Sequence, residues 1–128
     1  MPITTSSFSH VRLTVTDIAR SRAFYEDLFA WPVAFEVPTD AGPATRERLA
    51  FLFGGVLYRL GDGTLLGLRP SATGSFDEDH VGLDHLSFAV ASRHDLDRAA
   101  ALLDQRGVTH EPVKDVGHGC ILQFRDPD

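Results

Sequence analysis

A chain of 128 residues is one domain's worth of sequence, long enough to bury roughly two thirds of the surface its unfolded form exposes. The lone Cys120 rules out an intrachain disulfide or a thiolate metal cage, and suits a reducing cytoplasm. A net charge of -6, with 18 acids against 12 bases and no basic cluster, argues against a nucleic-acid surface, and no stretch has the make-up of a signal peptide or a membrane span. The chain is therefore expected to be cytoplasmic, neither exported nor membrane-bound.

From the N-terminus, His10 to Val15 alternates, so that Val11, Leu13 and Val15 share one face of a strand and His10, Arg12 and Thr14 the other. Thr16-Asp17 can cap a following helix, in which Phe24, Tyr25, Leu28 and Phe29 recur at helical spacing until Trp31-Pro32 ends it. Val33 to Val37 is predicted as a second strand. Leu49 to Phe53 leads into a third, centred on Val56 to Leu60, and Asp62-Gly63 marks a hairpin before a fourth at Thr64 to Leu68. Pro70 to Asp79, rich in turn residues and acids, reads as an exposed connection.

The programme then starts again. Ser9-His10-Val11-Arg12-Leu13-Thr14-Val15 returns as Asp84-His85-Leu86-Ser87-Phe88-Ala89-Val90, a histidine opening a second alternating strand over His85 to Val90. Ser92 and Asp95 have capping-box spacing, Leu96, Ala99, Ala100 and Leu103 form a helical stripe, and Gly107 stops it. Val108 to Val113 and Cys120 to Phe124 are the next predicted strands. Arg125-Asp126-Pro127-Asp128 stands where Gly61-Asp62-Gly63 stood, and no counterpart of Thr64 to Leu68 follows in this sequence. The expected class is α+β, a single domain over 1–128 made of two βαβββ modules, module one at 8–70 and module two at 81–128, the second lacking its last strand.

Two repeat-equivalent histidines suggest a shared metal ion. Aligning the hairpin turns pairs Arg59 with Gln123, polar residues on strands otherwise apolar, and buried polar groups need partners. Arg12 and Arg59 could clamp a carboxylate or phosphate with Gln123 as a neutral hydrogen-bonding group, or could simply meet solvent or nearby acids. His118, in the loop Gly117-His118-Gly119, reads as a lid or base, or as an ordinary exposed histidine. Cys120 reads as a small buried hydrophobe.

The tandem modules, the two His-opened strands and the closing Phe124-Arg125-Asp126-Pro127-Asp128 turn resemble the vicinal oxygen chelate superfamily of glyoxalases, bleomycin-resistance proteins and extradiol dioxygenases. The resemblance implies a cup-shaped mixed sheet with helices outside, and metal ligands on the first and last strand of each module. These fall on His10 and His85, whose imidazoles are expected to converge, and on Gly67, which cannot coordinate. The fourth would be a glutamate beyond Asp128. One divalent ion (Fe, Mn, Ni or Zn) and an enzyme acting on a small, oxygen-rich, anionic metabolite are implied, of isomerase, lyase or small dioxygenase type. The alternative is a metal-free protein that sequesters an antibiotic or other small molecule. Either is expected to form a homodimer.

Overall fold

The alternation along His10 to Thr14 becomes strand β1 (His10–Thr14) in a computed structural model that describes residues 1–128. Two compact units, Met1–Gly74 and Ser75–Asp128, meet within the Pro70 to Asp79 connection.

In the first unit β1 is followed by α1 (Ile18–Phe29), β2 (Val33–Phe35), α2 (Pro43–Arg48), a single 3-10 turn (Ala50–Leu52), β3 (Val56–Arg59) and β4 (Leu65–Arg69). Helix α1 begins where sequence chemistry places it: the Asp17 carboxylate accepts a hydrogen bond from the Arg20 amide at 3.1 Å, satisfying one of the amides that a helix start leaves unpaired. The Asp62-Gly63 hairpin also forms. The Leu60 amide donates to the Thr64 carbonyl at 2.8 Å, Gly63 takes a left-handed φ of 89°, and the Thr64 amide donates to the Asp62 carboxylate at 2.9 Å. That last bond holds the Asp62 carboxyl below the usual carboxylate range.

The four strands lie in the order β1-β4-β3-β2, with β1 parallel to β4 and the other pairs antiparallel. Register sorts the side chains into two faces. Val11, Leu13, Leu66, Leu68, Val56 and Tyr58 share the face that receives α1, and Val15, Val56, Tyr58, Leu66 and Leu68 are all buried. Tyr25, Phe29 and Trp31 stack in series beside Tyr58 and close this core. His10, Arg12, Thr14, Leu57, Arg59, Leu65, Gly67 and Arg69 share the other face.

The segment before β3 differs from its sequence reading. Leu49 to Phe53 is not an approach strand: Pro43 starts a short helix, and the 3-10 turn ends at Phe53 in the left-handed region, φ 52°. This path turns Leu49 and Leu52 inward onto Leu57, with Val37 and Leu65 beside them, so burial of two leucines overrides the strand propensity of an isolated apolar run.

In the second unit the helix α3 (Arg93–Gln105) follows the expected capping, the Ser92 hydroxyl accepting from the Asp95 amide at 3.3 Å and Asp95 lying in the first turn. Gly107 stops it with a φ of 69°. The strands do not follow the repeat. His85 to Val90 is not a strand, Val108 to Val113 contributes one bridge, His110 to Phe124, and the Cys120 to Phe124 prediction shrinks to β6 (Cys120–Ile121) beside β5 (Lys114–Asp115). The reason lies in the first unit, where β1 is held by a parallel ladder to β4. Residues 85–90 belong to no such ladder, and Val90 is exposed. The α+β class holds, and the βαβββ strand order is observed in the first unit. No helix is long and apolar enough to cross a membrane.

Candidate functional site

His10 opens β1 and is exposed on the face it shares with Arg12 and Gly67, its Nδ1 lying 3.4 Å from the Ser9 hydroxyl. Two residues on, Arg12 is held by the backbone. Its Nη1 donates to the Phe51 carbonyl at 2.9 Å and its Nη2 to the Leu52 carbonyl at 3.0 Å, tying β1 to the 3-10 turn. Its Nε is buried without a partner. Both guanidinium ends are spent on backbone carbonyls of the 3-10 turn, a structural role that stands beside the expected one in substrate binding.

Arg59 stands exposed at the end of β3 on the same face, with no side-chain partner fixing it, and its amide donates to the Pro32 carbonyl at 2.9 Å. Arg69 lies over the Phe53 ring at 4.3 Å, a cation–π contact at the rim. Gly67 pairs with Arg12 across the parallel ladder and is buried.

The second unit holds the other named residues. His85 is exposed, with its Nδ1 2.6 Å from the Asp84 carboxylate. Gln123 is exposed, accepts the Glu111 amide through its backbone carbonyl at 2.9 Å, and lines an open cleft of about 440 Å³ with Lys114, Asp115 and Ile121. His118 is exposed in a turn closed by the Val116 amide on the Gly119 carbonyl. Cys120, expected as a small buried hydrophobe, is only half-buried, and its Sγ receives an Arg93 Nη1 hydrogen bond at 3.6 Å.

Two polar groupings were not singled out by sequence reasoning. Arg22 donates from Nε and Nη2 to Glu26 at 3.2 and 3.0 Å and from Nη1 to Glu36 at 2.8 Å. The i,i+4 spacing of Arg22 and Glu26 was a readable signal, while Glu36 joins only through tertiary folding. Burial pushes the neighbouring Tyr58 hydroxyl up to about 12, with the Glu26 carboxylate adding to the effect. In the second unit His110 places Nδ1 2.7 Å from the Glu111 carbonyl and Nε2 2.7 Å from the Asp104 carboxylate. Both partners are acceptors, so the doubly protonated ring satisfies both. The backbone carbonyl first, then Asp104, raise its pKa above the usual histidine value.

Within neither unit do three His, Cys, Asp or Glu side chains gather as a group that could hold a metal. Imidazoles are the right donors in kind for a divalent first-row ion, but His10 and His85 are too few to make a site by themselves.

The sequence model of the Glyoxalase/Bleomycin resistance protein/Dioxygenase superfamily matches residues 7–128, and the chain belongs to that superfamily. No curated protein matches it significantly. Among solved structures, it is similar to a glyoxylase/bleomycin resistance protein/dioxygenase domain from Frankia sp., with 33% identity and a TM-score of 0.78 over 98% of this chain and 92% of that one. Lactoylglutathione lyase from Agrobacterium tumefaciens shares the fold at 18% identity and a TM-score of 0.68, over 96% of this chain and 87% of that one. So does a mutant of the fosfomycin resistance protein FosX from Listeria monocytogenes, complexed with Mn(II) and a dihydroxypropylphosphonic acid, at 17% identity and a TM-score of 0.66, over 96% of this chain and 86% of that one.

Proposed function

We propose that this protein is a divalent-metal-dependent enzyme that acts on a small, oxygen-rich, anionic metabolite, with His10 and His85 as metal ligands and Arg59 and Gln123 as substrate-binding groups. The observation that carries the proposal is repeated in both halves of the chain. In each, the residue before the histidine presents an oxygen to Nδ1, Ser9 to His10 and Asp84 to His85, which leaves Nε2 as the donor. Metal-bound histidines are characteristically oriented in this way, by a partner on the second ring nitrogen. An Fe, Mn, Ni or Zn ion suits imidazole, and when bound it supplies Lewis-acid polarisation of adjacent substrate oxygens. The rest falls to the chain: Arg59 attracts the anion, Gln123 offers a neutral hydrogen-bonding group, and Arg12 keeps the 3-10 turn in place. The related FosX structure, with its Mn(II) and a phosphonic acid, supports this ligand class. In the same reading the protein is cytoplasmic and pairs as a homodimer, with no nucleic-acid or membrane partner.

A second reading, a metal-free protein that sequesters a small molecule, is favoured by Gly67 and by the lack of a three-donor group within either unit. Metal analysis of untagged protein separates the two, together with calorimetric titration of Fe(II), Mn(II), Ni(II) and Zn(II) into the wild type, His10→Ala and His85→Ala. The enzyme reading expects about one ion per chain and weakened binding in both variants. No binding by the wild type leaves the sequestering protein.

A further inference from the structure

We infer that Arg12 limits the number of metal donors the first module can supply, because its side chain, together with Leu57, fills the fourth-strand seat at Gly67 and excludes a protein donor from it. The inference deepens the proposed function in treating that seat as a place where a donor would stand; its packing argument is independent of any metal.

Gly67 does not have a left-handed backbone, so nothing in its conformation calls for glycine. Space calls for it. A Cβ at Gly67 would lie 2.5 Å from Leu57 Cδ2 and 2.8 Å from Arg12 Cγ, with Arg12 Nε at 3.4 Å. Leu57 is locked in the cluster with Leu49 and Leu52 and has little room to retreat. The Arg12 stem cannot swing aside without giving up its bonds to the Phe51 and Leu52 carbonyls. The unpartnered Nε has the same meaning, since a buried N–H without an acceptor persists only where packing and the two terminal bonds dictate the path of the chain. A carboxylate or imidazole at position 67 would meet the same atoms from its first carbon onward, beside a guanidinium whose charge disfavours a nearby cation. The first module is thereby restricted to His10, and Arg12 is a specificity-determining residue that acts through position 67.

The test combines a packing cycle with a metal arm. Thermal unfolding is measured for the wild type, Gly67→Ala, Arg12→Thr and the double variant. Gly67→Ala is expected to lower the midpoint by about 5 °C or more, as overpacked cores do, and by less when Arg12 is already threonine. A Gly67→Ala midpoint equal to that of the wild type overturns the inference, as does an equal loss in both backgrounds. Should Arg12→Thr fail to fold, the same cycle is run with Arg12→Lys, whose shorter-reaching charge forfeits the two carbonyl bonds while keeping the aliphatic stem, and an unchanged Gly67→Ala loss there is expected, a changed one overturning the role of the Arg12 stem. In the metal arm, Mn(II) is titrated into Gly67→Glu with Arg12 intact. No gain over the wild type is expected, and tighter binding overturns the inference. Failure of the metal reading has a different signature: wild type and His10→Ala bind no Mn(II), while the midpoint cycle behaves as described.

Discussion

Residues 10–15 and 85–90 carry the same pattern, and only the first becomes a strand. In the first unit β1 pairs with β4 along five residue pairs, and Val15, just beyond it, is buried with its amide on the Arg69 carbonyl. In the second, residues 85–90 join no such ladder, and Val90 is exposed. An alternating pattern states which side chains would share a face; it cannot supply the partner whose amides and carbonyls make the strand. The helices differ far less between the units, since α1 and α3 close their own hydrogen bonds and depend on local caps at Asp17 and Ser92.

The contrast sets an order of expected effects. Leu68→Ala removes a fully buried side chain from β4 and should cost about 2–5 kcal/mol in denaturant unfolding, whereas Val90→Ala, at an exposed position, should stay within about 0.5 kcal/mol. A comparable loss at both positions would show that 85–90 is packed after all. Next comes Ser92→Ala, which removes the hydroxyl cap of α3 and should destabilise that helix by about 1 kcal/mol; circular dichroism during urea unfolding reads the change.

Hydrogen exchange sharpens the comparison at the backbone. The amides of β1 and β4 that lie in the parallel ladder should be protected, and those of residues 85–90 should exchange much faster. Similar protection in the two segments would break the ladder argument.

The smallest effect concerns His110, whose raised pKa implies that the protonated ring is favoured in the folded state. Its contribution to stability is complete below the ordinary histidine value of 6.5 and is lost as pH rises through the higher folded value. Stability of the second unit should therefore decline slightly across that window, and His110→Gln should flatten the profile. An NMR titration of the ring that shows a value below 6.5 would refute the assignment.

Much of the candidate site was legible because its signals are local. The repeat located His10 and His85, and each histidine's partner is its immediate sequence neighbour, Ser9 or Asp84. Period two placed His10, Arg12 and Thr14 on one face of β1, as register shows. What Arg12 does there was not legible. Its acceptors, the carbonyls of Phe51 and Leu52, lie in a segment whose sequence resembles a strand and folds as a turn. The Arg22, Glu26 and Glu36 network was half legible for the same reason, one pair being helical neighbours and the other a product of folding.

By itself, then, the sequence determined the caps, the Asp62-Gly63 hairpin, the faces of the first module and the superfamily, because each is encoded in residues a few positions apart or in a pattern that repeats. The tertiary structure alone decided that Leu49 and Leu52 cover the sheet, that Arg12 occupies the space over Gly67, and that residues 85–90 form no strand. Each of these depends on which distant atoms compete for the same volume or supply the missing hydrogen bond, and short-range patterns hold no record of that competition.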